Sequence, residues 1–109
     1  MPQSELEATF IYYWRVLNGP PLLPEYRFHP KRKFRLDFVH LPTMIAIEIE
    51  GGIWTGGRHT SGKGYTNDCI KYNLATLAGW HIFRLTGDML NEPDKYIKPI
   101  IKFTGAIEQ

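Results

Sequence analysis

Leu6, Phe10, Tyr13, Trp14 and Leu17 recur at the three-and-four spacing of one helical face, which predicts an amphipathic helix over Ser4 to Leu17. Gly19-Pro20-Pro21 ends it, because proline has no amide hydrogen and disfavours a helical residue before it, and a loop is expected to about Glu25. The period then changes to two. Lys33 to His40 sets Phe34, Leu36 and Phe38 against Arg35, Asp37 and Val39, as a strand does. After Leu41-Pro42-Thr43, a second strand from Met44 to Glu50 sets Ile45, Ile47 and Ile49 against Met44, Ala46, Glu48 and Glu50. So short a link suits an antiparallel pair.

Gly51-Gly52 opens a long loop through Gly64, of a length that is often functional in compact domains. Asn67 to Leu77 returns to helical spacing with Ile70, Leu74 and Leu77, and Gly79 stops it. Trp80 to Thr86 reads as a further strand reached by a helical crossover. Pro93, Tyr96, Ile97, Ile100, Ile101 and Phe103 predict a last amphipathic helix, about 91–104, which Pro99 interrupts or delimits. The expected class is α/β, in the order α-β-β-α-β, with a core over about 4–90.

Composition narrows this picture. A chain of 109 residues, 43% hydrophobic, can bury one core but not two, so a single domain over 1–109 is expected. An aromatic content of 14% argues against disorder. Cys69, the sole cysteine, excludes an intrachain disulfide framework and a multi-cysteine zinc site, and suits a reducing compartment. No apolar run approaches the ~20 residues that span a bilayer, and the N-terminus has no leader pattern. A soluble cytoplasmic protein is the expectation.

The net charge of +2 says little about partners, but its distribution says more. Arg27, Lys31, Arg32, Lys33 and Arg35 follow Tyr26 without an acid among them, and Arg58, His59 and Lys63 populate the glycine-rich loop. Such runs serve either a polyanionic partner or a solvated surface. Asp37, Glu48 and Glu50 can converge at one end of the paired strands, where three carboxylates repel one another unless neutralised. Oxygen ligands at close quarters suit Mg²⁺ or Mn²⁺. A metal so held activates water and stabilises charge on a phosphodiester oxygen. The alternative is that these acids are exposed edge-strand charges or ion-pair partners of nearby arginines.

Asp37 followed by Glu48-Ile49-Glu50 on the next apolar strand resembles the signature of the PD-(D/E)XK nuclease superfamily. The ordered series of a glutamate on the first helix, Arg35-Leu36-Asp37-Phe38, Ile47 to Gly52, His59, Asp68 with Lys71, and Gly79-Trp80 before Phe83-Arg84 is similar to its Vsr-like branch of small endonucleases. The resemblance implies a three-layer, restriction-endonuclease-type core with a mixed sheet flanked by helices. It also implies Mg²⁺-dependent hydrolysis of DNA, with Mn²⁺ as a substitute. Asp37 and Glu48 would bind the metal, while Glu50 would bind it or accept a proton from the attacking water. Glu50 stands where a lysine is usual, which leaves the general base open.

Glu7 corresponds to the glutamate of the first helix, although Ser4-Glu5-Leu6-Glu7 also fits a capping box. His59 would position a phosphate or protonate the leaving oxygen. Arg32, Arg35, Arg58 and Lys63 would contact phosphates, Trp54 would stack on a base or pack its loop, and Lys71 with Asp68 would orient the site or meet the DNA backbone. Gly57 to Gly64 imitates a Walker A loop, but Gly64 replaces the Ser or Thr that would hold Mg²⁺. The main rival is a non-catalytic nucleic-acid-binding module, and a structural or partner-binding protein is a third. One cleft per chain would require a homodimer, or two successive nicks, to cut both strands. The compact chain suggests a phage or mobile-element setting.

Overall fold

The computed structural model describes residues 2–51 and 62–108, with side chains through 105. The elements run α1 (Gln3–Val16), β1 (Leu23–Arg27), β2 (Arg35–His40), β3 (Ile45–Glu50), α2 (Gly62–Leu77), β4 (His81–Thr86), α3 (Gly87–Leu90), α4 (Pro93–Tyr96) and α5 (Lys98–Glu108), with a 3-10 turn at Leu41–Thr43. The protein is therefore α/β, with a mixed sheet in the order β1-β2-β3-β4. The β1–β2 and β2–β3 pairs are antiparallel; β3 and β4 are parallel, joined through α2.

The isoleucines of β3 decide how the layers form. Ile45, Ile47 and Ile49, with Phe38 and Leu85, bury against Leu6, Phe10 and Trp14 of α1 and against Leu90, Ile97 and Ile100 from the C-terminal helices. On the other face, Leu36, Val39 and Ala46 pack with Ala75 of α2 and Trp80. Helices thus cover both faces, as strands buried on both sides require. No helix among the described residues is long and apolar enough to cross a membrane.

Five local features depart from the sequence expectation. The segment read as a loop to Glu25 contains β1; Pro24 is tolerated because an edge strand has one side with no ladder bond to lose. Leu36 packs on the α2 side with Val39 rather than beside Phe38, so the two-residue alternation of β2 breaks next to Asp37. Opposite, on β1, Glu25 adopts a positive φ of 48°. Helix α1 starts at Gln3 with Pro2 as its N-cap and no side-chain capping bond, so Ser4 lies inside the helix and the capping box is absent. Helix α2 begins at Gly62, well before Asn67. The single helix expected over 91–104 is two pieces, α4 and α5, preceded by the short α3, and Pro99 falls in the first turn of α5, where no intrahelical amide bond is needed.

Helix α2 ends in a paired cap: Gly79 N–H donates to the Thr76 carbonyl and Trp80 N–H to that of Ala75, both at 3.0 Å. Gly79 has φ +98°, and a Cβ there would meet Met44 only at an ordinary 3.7 Å. Gly79→Ala is accordingly expected to cost about 1 kcal/mol through backbone strain rather than collision. Chemical denaturation should show a lower midpoint with an unchanged slope.

Candidate active site

Two periodicities build the site. The pleat of β3 turns Glu48 and Glu50 to the same face as Ala46, under α2. The middle of α2 brings Lys71 and Tyr72 down to meet them. Because β2 runs antiparallel to β3, the N-terminal end of β2 lies at the C-terminal rim of β3, which brings in Asp37.

Glu48 is 3% exposed. Its Oε1 accepts hydrogen bonds from the Lys71 ammonium and, at 3.2 Å, from the Tyr72 hydroxyl. Its Oε2 accepts the backbone N–H of Asp37 at 2.6 Å. Asp37 Oδ2 in turn accepts the Ile49 N–H at 2.8 Å. The backbone register of β2 with β3 ends at Phe38↔Ile47, and beyond it these two carboxylates take over the pairing. Glu50 Oε1 accepts Arg84 Nε from β4 at 2.6 Å and the Tyr72 hydroxyl at 3.2 Å. A phenol has one proton, so Tyr72 donates to Glu48 or Glu50 at any instant, not to both. The Arg84 guanidinium also stands 4.4 Å from the centre of the Tyr72 ring.

The electrostatics are unbalanced. Burial pushes the Asp37 carboxyl above the usual range; Glu7 and Glu50 add to this, while the Ile49 hydrogen bond and Lys71 oppose it. Burial likewise raises Glu48, the charge of Asp37 raises it further, and Lys71 opposes. Tyr72 is held well above the ordinary phenol range by burial and by the charges of Glu48 and Glu50, so it is a neutral donor. Burial works against the Arg84 charge, but the Glu50 hydrogen bond and charge outweigh it and the net shift is upward.

The structure brings Asp37, Glu48, Glu50 and Lys71 together and leaves half-buried Glu7 close enough for its charge to act on Asp37. Asp68 acts similarly on Arg84. Lys71 sits among the carboxylates, with 16% of its side chain exposed, rather than facing outward. Arg32 and Arg35 are exposed along the β1–β2 hairpin, and Lys63 is exposed in the first turn of α2. Trp54, Arg58 and His59 lie outside the described residues. Among the described residues, no three His, Cys, Asp or Glu side chains stand as a ready metal cage.

Sequence reasoning missed Tyr72 and gave Arg84 no role. Tyr72 had a signal, being adjacent to Lys71 on a helix that must cross β3. Arg84 had one in the parallel pairing, since Glu48↔Arg84 and Glu50↔Thr86 place the arginine beside the acids once the β3–β4 register is known. The chain matches no protein-family model, no curated protein and no solved structure at a significant level.

Proposed function

We propose that this protein is a Mg²⁺-dependent endonuclease acting on DNA phosphodiesters, built on a PD-(D/E)XK-like core. The observation that carries the proposal is the interlocked pair Asp37 and Glu48 on adjacent strands, each taking a backbone N–H of the other strand and each raised in pKa. A buried carboxylate and a half-buried one so close, both raised on balance even with Lys71 beside them, are destabilising, and an all-oxygen donor set suits a hard divalent ion.

Asp37 and Glu48 would hold the ion, Mg²⁺ or Mn²⁺. When bound, it would supply an acidified water and charge stabilisation at the phosphate. The chain's own residues do the rest. Lys71 compensates part of the charge on Glu48. Glu50, fixed between Tyr72 and Arg84, accepts a proton from the attacking water at a carboxylate oxygen. Glu7 adds negative charge from α1, and His59 serves the phosphate or the leaving oxygen. Arg32, Arg35 and Lys63, exposed cations of the same rim, contact the backbone of the nucleic acid, and the sequence adds Arg58 to them.

One observation favours the rival, a non-catalytic binding module: Glu48 and Glu50 form ion pairs with Lys71 and Arg84, a role for these acids that needs no catalysis. Supercoiled plasmid and branched DNA, each with Mg²⁺ or Mn²⁺, separate the two. The nuclease is expected to cut at least one substrate, to stop in EDTA, and to be inactive as Glu48→Ala. Binding without cutting, equal for wild type and variant, would favour the module.

A further inference from the structure

The β1–β2 hairpin carries five cations in nine residues, Arg27, Lys31, Arg32, Lys33 and Arg35, and all five are exposed. Runs of this kind are commonly loose solvated surface. Here the turn is internally fixed. His29 Nδ1 accepts the backbone N–H of Lys31 at 3.1 Å and that of Arg32 at 3.0 Å. An imidazole nitrogen that accepts both carries no proton, so the ring holds its proton on Nε2. Half-buried Phe28 meets the His29 ring edge-on at 6.4 Å, and the Arg32 guanidinium lies 4.6 Å from the centre of the Phe34 ring. Phe28, packed against the cluster of Leu36, Val39 and Trp80, anchors the turn, while the charged residues are exposed.

The position of the hairpin matters as much as its order. Arg27 pairs with Arg35 where β1 ends and β2 begins, and β3 runs antiparallel to β2. The hairpin therefore stands on the same rim of the sheet as Glu48 and Glu50, and α2 starts with exposed Lys63 at that rim before crossing back. Among the described residues, Arg35 alone of the five forms an ion pair, with Glu25 at 3.5 Å across an exposed contact.

We infer that the β1–β2 hairpin is a preformed clamp for the sugar-phosphate backbone of nucleic acid, and that His29 is the positioning residue that shapes it. This rests on the nucleic-acid reading above, which already uses Arg32 and Arg35, and extends it to Arg27, Lys31, Lys33 and His29. A turn ordered before binding loses less entropy when it binds, so its cations act as a unit rather than as independent charges. Neutralised phosphates release counterions, which makes the effect measurable as a salt dependence.

The test is binding of a fluorescently labelled DNA duplex by the full chain in EDTA, over a series of KCl concentrations, with thermal melts to show that each variant is folded. The combined variant Lys31→Ala, Arg32→Ala, Lys33→Ala is expected to bind more than about tenfold more weakly and to flatten the plot of log K against log salt by about two to three units. His29→Ala, which removes no lysine or arginine, is expected to weaken binding about threefold or more. An unchanged salt slope in the combined variant, with wild type binding, would overturn the clamp and leave the nuclease proposal standing. Wild-type affinity in folded His29→Ala would overturn the positioning role. If the wild type binds no DNA even at low salt, the clamp and the nucleic-acid reading fail together.

Discussion

Asp37→Asn is expected to abolish metal-dependent cleavage while making the metal-free protein harder to unfold. The activity loss, about a thousandfold or more, is what removal of a charged group from the reacting centre typically causes. The stability gain follows from the direction of the pKa shifts. Burial and like charge raise Asp37 and Glu48 above 3.8 and 4.5, so both ionised carboxylates oppose folding. Asparagine keeps an oxygen that can accept the Ile49 N–H but carries no charge. Allowing for solvent screening at a half-buried group, the gain should be about 1 kcal/mol, or roughly 5 °C in Tm.

The sign with pH is the reverse of ordinary acid denaturation. A carboxylate raised by folding destabilises at pH values above its folded pKa; protonation relieves this as pH falls, and below the unfolded value the effect is gone. The stability advantage of Asp37→Asn should therefore be full near neutral pH, shrink as pH falls through the raised range, and vanish below the ordinary aspartate value of 3.8. Calorimetry without metal, at several pH values, measures it. An asparagine variant less stable than wild type at neutral pH would mean that Asp37 is a net structural asset, against the metal-site proposal. With Mn²⁺ added, wild type should gain stability and the variant little.

Lys71→Met is expected to have the largest effect on folding among the site variants. Glu48 keeps only 4% of its side chain exposed and Lys71 only 16%, so the pair is shielded from water. Removing one member of such a pair leaves a buried charge uncompensated, which costs about 3 kcal/mol or more. A divalent ion brings back positive charge at the same carboxylates. Mn²⁺ should then raise the Tm of Lys71→Met by more than it raises that of wild type, where the ammonium competes for Glu48. Melts with and without Mn²⁺ test both halves. Equal metal-induced shifts would show that Lys71 and the ion do not share the site.

Much of this was legible in the sequence where one physical signal dominated. The alternating isoleucines of β3 fixed its faces, and with them the common direction of Glu48 and Glu50. The helical spacing of Leu6, Phe10 and Trp14 identified α1 and its buried side. Edge strand β1 was hidden because Pro20, Pro21 and Pro24 read as loop, and only its position at the sheet margin makes Pro24 acceptable. The capping box was a sequence pattern whose hydrogen bonds do not form, because the helix starts before Ser4. Tyr72 and Arg84 depend on a crossover and a parallel register, both long-range outcomes that local periodicity does not encode. The deviation at Leu36 arises where Asp37 and Glu48 bond to backbone amides of the facing strand, which side-chain alternation alone cannot foresee.

That exchange of carbonyls for carboxylates also divides the sheet by mechanical character. From His40↔Ile45 to Phe38↔Ile47, β2 and β3 are joined by peptide groups whose strength is indifferent to pH and ions. One residue further, at Asp37 and Glu48, the seam is closed by groups that can be protonated or ligated. The amides of Asp37 and Ile49 are therefore native reporters: a proton or ion arriving at either carboxylate must weaken or tighten the bond each amide makes. Their NMR shifts and exchange rates would register occupancy of the site from inside the backbone, with no label and no substrate.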